Sequence, residues 1–252
     1  EGTAELSQAS LLQRGYVQTA SGAHVLSPQS KILATLAFVV VVVATPREWV
    51  VAFAGYALLI IAALAWARVP ARRVTTGLAI ETPFILFALL MPVVGPAPQT
   101  WLGLSVPGLW AAWNILVKAS LGVLAATLLA ATTRPTELIA GLQTLRLPGA
   151  LVAILTFFVR YVDVVADQFQ RMRVAQQARG LDPRSPKSWP VLANGLGALF
   201  VRSFERGERV HLALVSRGYD GQLPAPPVEG QSWPAALLPG CALLVLLAVA
   251  VL

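Results

Sequence analysis

Charged residues are scarce in this sequence: Asp, Glu, Lys and Arg make up 12% of its 252 residues, whereas hydrophobic residues make up 56%. Soluble domains average about 25% charged residues, so this composition excludes an ordinary soluble domain and indicates an integral membrane protein. Cysteine is nearly absent as well, because Cys241 is the single one. A framework of disulfide bonds is therefore excluded.

Sequence motifs that support catalysis are missing too. The chain has no G-x-x-x-x-G-K-[ST] phosphate loop, so we do not expect it to hydrolyse ATP. It has no H-E-x-x-H or G-x-S-x-G motif either. Its two histidines, His24 and His211, lie far apart in the sequence without clustered ligands, which argues against a tight metal site. We therefore predict no catalytic residue and no metal-ligating residue.

Long apolar runs account for much of the composition. A bilayer core of about 30 Å requires about 20 apolar residues in a helix. The runs that reach about this length are residues 49–67, 74–94, 109–131 and 233–252. A shorter run, residues 32–45, is also interpreted as a span, because Lys31 can extend it by snorkelling. Its length alone would also suit a re-entrant segment. The sequence thus predicts an all-α integral membrane protein with about five transmembrane helices.

The distribution of basic residues predicts the orientation of these spans. If the N-terminus is cytoplasmic, the inner segments 1–31, 68–73 and 134–232 hold 17 of the 19 Lys and Arg residues, and the outer segments hold Arg47 alone. Cytoplasmic loops are enriched in Lys and Arg, so this orientation is favoured. The same bias explains the net charge of +7 better than nucleic-acid binding, because the last inner segment also contains eight acidic residues.

The domain organisation follows from the spans. It comprises a cytoplasmic N-terminal segment (1–31), four transmembrane helices (32–132), a cytoplasmic insert (133–232) and a fifth transmembrane helix (233–252). The insert is predicted to contain one short helix, which ends before Pro148 because proline cannot continue it. Two long helices follow, and they end in similar motifs.

Each long helix ends in a small residue, an arginine and a glycine: Ala178-Arg179-Gly180 and Ser216-Arg217-Gly218. Glycine tolerates the left-handed conformation that often ends a helix, and a cation is favoured at the C-terminal end of the helix dipole. Helix-end chemistry therefore explains one such motif. Its recurrence on a second long helix favours a further role, in which Arg179 and Arg217 pair with carboxylates in grooves of a partner protein. The two tips are predicted to point the same way.

Apolar residues follow one side of each long helix. On the first helix they recur at spacings of four and three, as Phe158, Val162, Val165, Phe169 and Met172. On the second, Phe200 and Phe204 lie along a comparable line. Such a stripe faces a hydrophobic partner, and this partner is either the other long helix or a separate subunit. The sequence leaves both uses open.

Glu81 and Lys118 are the ionisable residues within the predicted spans. Counted at 1.5 Å per residue from the ends of their spans, they lie at similar depths, within about 5 Å of each other along the membrane normal. An ionisable residue inside a membrane is a functional candidate by default, and it often pairs with another. We predict a structural ion pair between Glu81 and Lys118, and a role in transport or gating is the alternative.

The sequence resembles the transmembrane coupling subunits (T components) of energy-coupling factor (ECF) ABC importers, most closely the cobalt/nickel type. The similarity lies in HVLSPQSKILATLAF (24–38), TRPTELIAGLQTLRLP (133–148) and the two arginine motifs at 178–180 and 216–218. It covers most of the chain apart from the first 20 residues and the last span. Ser216 is a departure, since the family usually has alanine there, but serine is small enough to fit the same close groove.

The resemblance implies a mechanism. In the family, arginines at the ends of the long cytoplasmic helices seat in grooves of two ATP-binding cassette ATPases, whose closure acts on a separate membrane subunit that binds the substrate (the S component). Carried over to this chain, Arg179 and Arg217 with their small neighbours anchor the ATPases, and the apolar stripes are candidates for contact with the S component. ATP is then bound by the partner subunits and no cofactor by this chain, which lies among the lipids of the inner membrane of a prokaryote.

Two alternatives remain at the level of sequence. A self-sufficient permease or an intramembrane enzyme would need polar residues that converge within the spans, and Glu81, Lys118 and Asn114 are a thin supply. A conventional ABC permease subunit usually offers one short coupling helix per chain. Two long helices that end in arginine therefore favour the coupling subunit.

Overall fold

A computed structural model describes residues 26–94, 100–101, 104–145, 147–182, 185 and 188–221. Residues 1–25 and the predicted fifth span at 233–252 lie outside this described part. The described residues form eight helices: α1 (Pro28–Ala44), α2 (Val50–Trp66), α3 (Ala71–Ala79), α4 (Thr82–Val94), α5 (Val106–Thr132), α6 (Pro135–Thr144), α7 (Gly149–Ala178) and α8 (Trp189–Val215). Two short strands, β1 (Thr100–Trp101) and β2 (Leu104–Ser105), pair antiparallel before α5. The predicted all-α architecture is confirmed.

The chain divides into two compact units, and the division falls between Gly141 and Leu142, within α6. The first unit, which we call the bundle, contains α1 to α5 and the start of α6. The second, which we call the hairpin, contains the end of α6 and the long helices α7 and α8. The sequence-based boundary at residue 133 lies nine residues before Leu142, where the second unit begins.

The bundle is built around α5, against which α1, α2, α3 and α4 all pack. Its core contains large side chains from three helices, among them Phe38, Val42, Phe53, Tyr56 and Leu121. The rings of Phe53 and Tyr56 meet edge to face, with centroids 6.1 Å apart. The buried Tyr56 hydroxyl lies 3.2 Å from the Thr45 hydroxyl, so the polar end of this ring has a hydrogen-bond partner.

Large apolar side chains cover much of the outside of the bundle. Those with more than two thirds of their surface exposed include Val51, Leu58, Ile80, Leu86 and Leu89. Such a surface is an aggregation hazard in water, whereas in a bilayer it contacts lipid. By length and composition, α5 can cross a membrane, and α1 and α2 are shorter apolar helices. By the same criteria of length and composition α7 is also able to cross a membrane, although the sequence predicts it to be cytoplasmic.

The run at 74–94, predicted as one span, belongs to two helices, α3 and α4. These helices meet at an angle of 53° just before Thr82. Together the two helices are long and apolar enough to cross a membrane as one broken span. The run is not one continuous helix, and Pro83 gives the reason. Proline has no N–H, so it cannot donate to the carbonyl of Ala79 four residues earlier. The Thr82 hydroxyl donates to that carbonyl instead, at 2.6 Å.

Glycine at position 108 allows α4 and α5 to pack with their backbones in contact. A Cβ atom on Gly108 would lie 2.5 Å from the carbonyl oxygen of Met91 and 2.9 Å from Cα of Pro92. The start of α5 is fixed beside this contact, because the Ser105 hydroxyl accepts a hydrogen bond of 3.2 Å from the Gly108 N–H. Small residues at such contacts are typical of helix packing in membranes.

Candidate functional site

The hairpin consists mainly of α7 and α8, which contact each other where α7 ends and α8 begins. A Cβ atom on Gly195 of α8 would lie 3.0 Å from Gln176 Nε2 and 3.1 Å from Met172 Cε of α7. Gln176 Nε2 also donates to the carbonyl of Val191 over 3.4 Å. The two helices approach closely because Gly195 has no side chain. We call Met172, Gln176 and Gly195 the crossing.

Away from the crossing, α7 and α8 separate around a groove of about 650 Å³. Phe158, Tyr161 and Val165 line this groove from the first half of α7. His211 and Leu214 line it from the second half of α8. The start of α7 therefore faces the end of α8, and the two helices are antiparallel.

The arginine tips consequently lie at opposite ends of the hairpin, and the prediction that they point the same way is wrong. The reason is the length of the connection between the helices. Residues 179–188 span at most about 35 Å when fully extended, whereas α7, with 30 residues, is about 45 Å long. The chain cannot return to the start of α7 before α8 begins.

The first tip, residues 178–180, ends α7 in a Schellman motif. Gly180 has a φ of +83°, a left-handed conformation that favours glycine. Its N–H donates to the carbonyl of Gln177 over 2.9 Å, and the N–H of Leu181 donates to the carbonyl of Gln176 over 3.1 Å. These bonds satisfy carbonyls that the helix itself leaves without partners.

The second tip, residues 216–218, ends α8 in the same way. Gly218 has a φ of +85°, and its N–H donates to the carbonyl of Val215 over 3.0 Å. The N–H of Tyr219 donates to the carbonyl of Leu214, also over 3.0 Å. The two tips therefore share one backbone geometry, in which arginine directly precedes a left-handed glycine.

Ser216, which stands in place of the alanine that the resemblance implies, does not disturb the second tip. Its hydroxyl donates back to the carbonyl of Ala213 over 3.0 Å, so it needs no partner from another protein. Arg179 and Arg217 are both exposed, and within the described part of the chain neither guanidinium forms an ion pair. Both side chains are available to an acidic group of a partner.

Part of the predicted apolar stripe packs inside the hairpin. Met172 belongs to the crossing, and Val165 lines the groove, so both face α8. Val162 and Phe169 are half-buried. The Arg173 guanidinium lies over the Phe169 ring, 5.9 Å from the ring centroid. Met172 and Val165 support the use of the stripe for packing between the two long helices.

The phenylalanines of the stripes are mostly exposed. Phe158, Phe200 and Phe204 have exposed fractions of 56%, 72% and 61%. Phe158 also lines the groove, whereas neither Phe200 nor Phe204 is among its lining residues. Large exposed rings of this kind are typical of surfaces that bind a partner. The stripes therefore contain members that pack inside the hairpin and members that are exposed.

Sequence reasoning missed Gly195 and Gln176, which join the two long helices. A signal was present, because a glycine inside a helix costs about 1 kcal/mol relative to alanine and often has a packing reason. However, α8 also contains Gly197 and Gly207, and nothing lies within 4 Å of a Cβ atom at either position. The sequence alone does not show which of the three glycines marks a contact.

The predicted ion pair between Glu81 and Lys118 does not form. Glu81 is only 2% exposed, and the Ser120 hydroxyl lies 3.0 Å from both of its carboxylate oxygens. Lys118 Nζ donates instead to the carbonyl of Val43 over 2.8 Å. The prediction matched the depth of the two residues but not their direction, because residues two apart on a helix, such as Lys118 and Ser120, do not share a face.

Lys118 caps the end of a neighbouring helix, and Lys31 does the same in return. Val43 lies in the last turn of α1, whose carbonyls have no partner within the helix. Lys31, in the first turns of α1, donates through Nζ to the carbonyl of Thr132, the last residue of α5, over 3.0 Å. α1 and α5 thus cap each other's C-terminal ends, where the helix dipole favours a cation.

These features define a class of protein: an all-α membrane protein with an apolar bundle and a helical hairpin whose two long helices end in exposed, identically capped arginine motifs. The family described as CbiQ, cobalt transport protein, matches residues 19–227, which include both tips. The chain belongs to this family. The resemblance to the T components of ECF transporters is confirmed.

Individual relatives agree with this assignment. The chain is 29% identical to the cobalt transport protein CbiQ of Rhodobacter capsulatus over 200 residues, which cover 77% of this chain and 78% of the relative. It is 27% identical over 231 residues to the energy-coupling factor transporter transmembrane protein EcfT of Heliobacterium modesticaldum, with 82% and 83% covered. A shorter match to an uncharacterized protein of Methanocaldococcus jannaschii shows 34% identity over 103 residues and covers 40% and 38% of the two chains.

Proposed function

We propose that this chain is the coupling subunit of an ECF-type importer. It transmits the motion of two cytoplasmic ATPases to a separate membrane subunit, the S component, which binds the substrate. One observation supports this function above all others. Two exposed arginines lie at opposite ends of one hairpin, each at the same position of the same helix-end motif.

The placement of the tips suits two separate ATPase subunits. Arg179 lies near the crossing and the start of α8, whereas Arg217 lies at its end. Because α8 has 27 residues, the tips are about 40 Å apart along its axis. A guanidinium offers a fixed fork of donors that matches a carboxylate. Removal of one partner from a desolvated pair of this kind costs about 2–5 kcal/mol, so each tip can anchor one ATPase.

The apolar surface of the hairpin supports contact with the S component. Phe158, Phe200 and Phe204 are exposed, and most residues that line the groove are apolar. Each exposed ring lies on a helix that also ends in one of the arginine tips. A displacement of either tip by an ATPase therefore moves an apolar surface on the same helix, which provides a direct mechanical connection to the S component.

The remaining assignments follow from this role. The chain is not an enzyme and binds no cofactor, since ATP is held by the partner ATPases. It lies in the inner membrane of a prokaryote, with its N-terminus in the cytoplasm and lipid around its spans. The topology of the bundle supports this orientation, because the start of α1 and the ends of α2 and α5 bring Lys31, Arg68 and Arg134 to one end. The description of the family and the name of the Rhodobacter capsulatus relative support cobalt as the cargo, with nickel as the alternative.

The anchoring role is tested with Arg179→Glu combined with Arg217→Glu. This variant should insert and fold like the unmodified chain, because both residues are exposed. It should no longer co-purify with the ATPases, because each new carboxylate would face an acidic group. Arg171→Glu combined with Arg202→Glu is the matched control, since these arginines are exposed on the same helices away from the tips. Normal ATPase recovery with the tip variant would contradict the proposal.

A further inference from the structure

The connection from α2 to α3 forms a basic surface at one end of the bundle. Arg68 and Arg72 are exposed there, beside Trp66, which is 58% exposed. We call these three residues the basic corner. Residues 49–80 contain no acidic residue, and neither arginine forms an ion pair with any residue that the structure describes. The positive charge of the corner is therefore available to an external anion.

Arg68 has a backbone conformation that favours glycine. Its φ is +52°, and among the described residues it is the one non-glycine with positive φ. α2 ends here in a Schellman motif, in which the Arg68 N–H donates to the Ala65 carbonyl over 3.0 Å and the Val69 N–H donates to the Leu64 carbonyl over 3.1 Å. The equivalent positions at the ends of α7 and α8 are glycines. An arginine kept in this conformation, despite its conformational cost, points to a role for its side chain.

The adjoining helix α3 has the properties of a helix at a membrane surface. It has nine residues, too few to cross a bilayer, and it meets α4 at 53°. Gly77 faces α5, since its missing Cβ would lie 2.8 Å from the Thr127 hydroxyl, whereas Arg72, Thr75 and Thr76 are exposed. A basic amphipathic helix next to a tryptophan is typical of the interface between headgroups and acyl chains.

Other basic residues lie at the same end of the bundle. Trp66 and Lys31 line one small cavity of about 130 Å³, so the corner lies next to the contact between Lys31 and the end of α5. Arg134 follows that end of α5, and its guanidinium lies 4.0 Å from the carboxylate of Glu137. The charge of Arg134 is thus balanced locally, whereas the charges of the corner are not.

We propose that the basic corner binds the phosphate headgroup of an anionic phospholipid in the leaflet at this end of the bundle. The guanidinium groups of Arg68 and Arg72 match phosphate oxygens, and basic clusters beside transmembrane helices are a recurring means of binding anionic headgroups. Trp66 fixes the depth of the site, because tryptophan is favoured at the level of the headgroups. The site depends on the bundle alone and not on the proposed coupling function.

Thermal unfolding of the purified full chain in a neutral detergent tests this site. Phosphatidylglycerol should raise the unfolding midpoint more than phosphatidylcholine with the same acyl chains does. Arg68→Gln combined with Arg72→Gln should lose at least half of this difference, because the headgroup loses both guanidinium partners. Arg47→Gln is the matched control and should keep the full difference, since Arg47 is exposed in the α1–α2 connection, at the opposite end of the bundle.

Arg68→Gly gives a second measurement that does not depend on the stability of the double variant. Glycine adopts a positive φ without strain, so this variant should unfold at the same temperature as the unmodified chain, or higher, when no lipid is added. It should nevertheless lose part of the phosphatidylglycerol effect. A merely structural role of Arg68 would leave that effect unchanged.

Three results would overturn the proposal. The first is a double variant that keeps the full phosphatidylglycerol effect. The second is an equal effect of inorganic phosphate at the same concentration, which would assign the corner to a soluble anion. The third is a double variant that loses co-purification with a protein subunit while its lipid effect stays unchanged, which would assign the corner to a protein contact.

Discussion

Lys31 and Lys118 each donate to a carbonyl at the end of another helix. Glu81, in turn, accepts from the Ser120 hydroxyl. A polar group without a partner in hydrocarbon costs several kcal/mol, so the sequence correctly marks Glu81 and Lys118 as residues that need partners. The identity of the partner is not predictable in the same way, because depth along a span can be counted whereas direction around a helix depends on packing.

The separate partners of Glu81 and Lys118 predict additive effects on stability. Glu81→Leu and Lys118→Met should change the free energy of unfolding independently, with a coupling below about 0.5 kcal/mol. Glu81→Leu and Ser120→Ala should couple by about 1 kcal/mol, because both remove the same hydrogen bond. Double-mutant cycles on the purified chain in detergent measure both values. A large coupling between Glu81 and Lys118 would indicate that the two residues form an ion pair, which would contradict the structure.

The contact at Gly108 predicts a strong effect of a single methyl group. Gly108→Ala should destabilise the bundle by about 1–3 kcal/mol, since its Cβ would lie 2.5 Å from the Met91 carbonyl oxygen. Gly122→Ala, in the same helix, is the control: nothing lies within 4 Å of its Cβ, so it should be neutral or stabilising by up to about 1 kcal/mol. Unfolding midpoints in detergent provide the comparison, and equal effects would argue against the close packing of α4 and α5.

Among the helices, the ends of α7 and α8 are predictable because their signals are local. A glycine follows each terminal arginine, and the structure gives both Gly180 and Gly218 positive φ. The break between α3 and α4 is harder to predict, because an apolar run of sufficient length outweighs the single signal of Pro83. The left-handed backbone at Arg68 has no sequence signal, since arginine does not favour that conformation.

The crossing predicts that the two long helices act as one element. Gly195→Leu should push α8 away from α7, because a Cβ atom there already lies 3.0 Å from Gln176 Nε2. Spin labels at the exposed positions Val174 and Ala193 should move apart, and ATP-driven uptake should fall while the ATPases stay bound. Gly197→Leu is the control, since nothing lies within 4 Å of a Cβ atom there.

Two outcomes would contradict this view of the hairpin. Equal label distances in the two glycine variants would show that Gly195 does not hold the helices together. Full uptake despite an increased distance would show that the contact between α7 and α8 is not needed to transmit motion.

For the whole molecule, class and family follow from which residues are present, whereas geometry follows from how the helices fold back on each other. Composition indicates a membrane protein, and the repeated arginine motif predicts the family that residues 19–227 match. The placement of the tips at opposite ends and the groove of about 650 Å³ depend on the antiparallel packing of α7 and α8. The stripes that include Val165 on α7 and Phe204 on α8 indicate apolar surfaces but do not identify what covers them.

The reciprocal caps of α1 and α5 fix the register of the two helices. Lys31 and Lys118 hold opposite ends of the pair, so sliding one helix along the other by a single turn, about 5.4 Å, would detach both lysines at once. Rotation of either helix about its own axis would have the same effect. We therefore expect α1 and α5 to move together, so that a displacement of one helix along its axis carries the other helix with it.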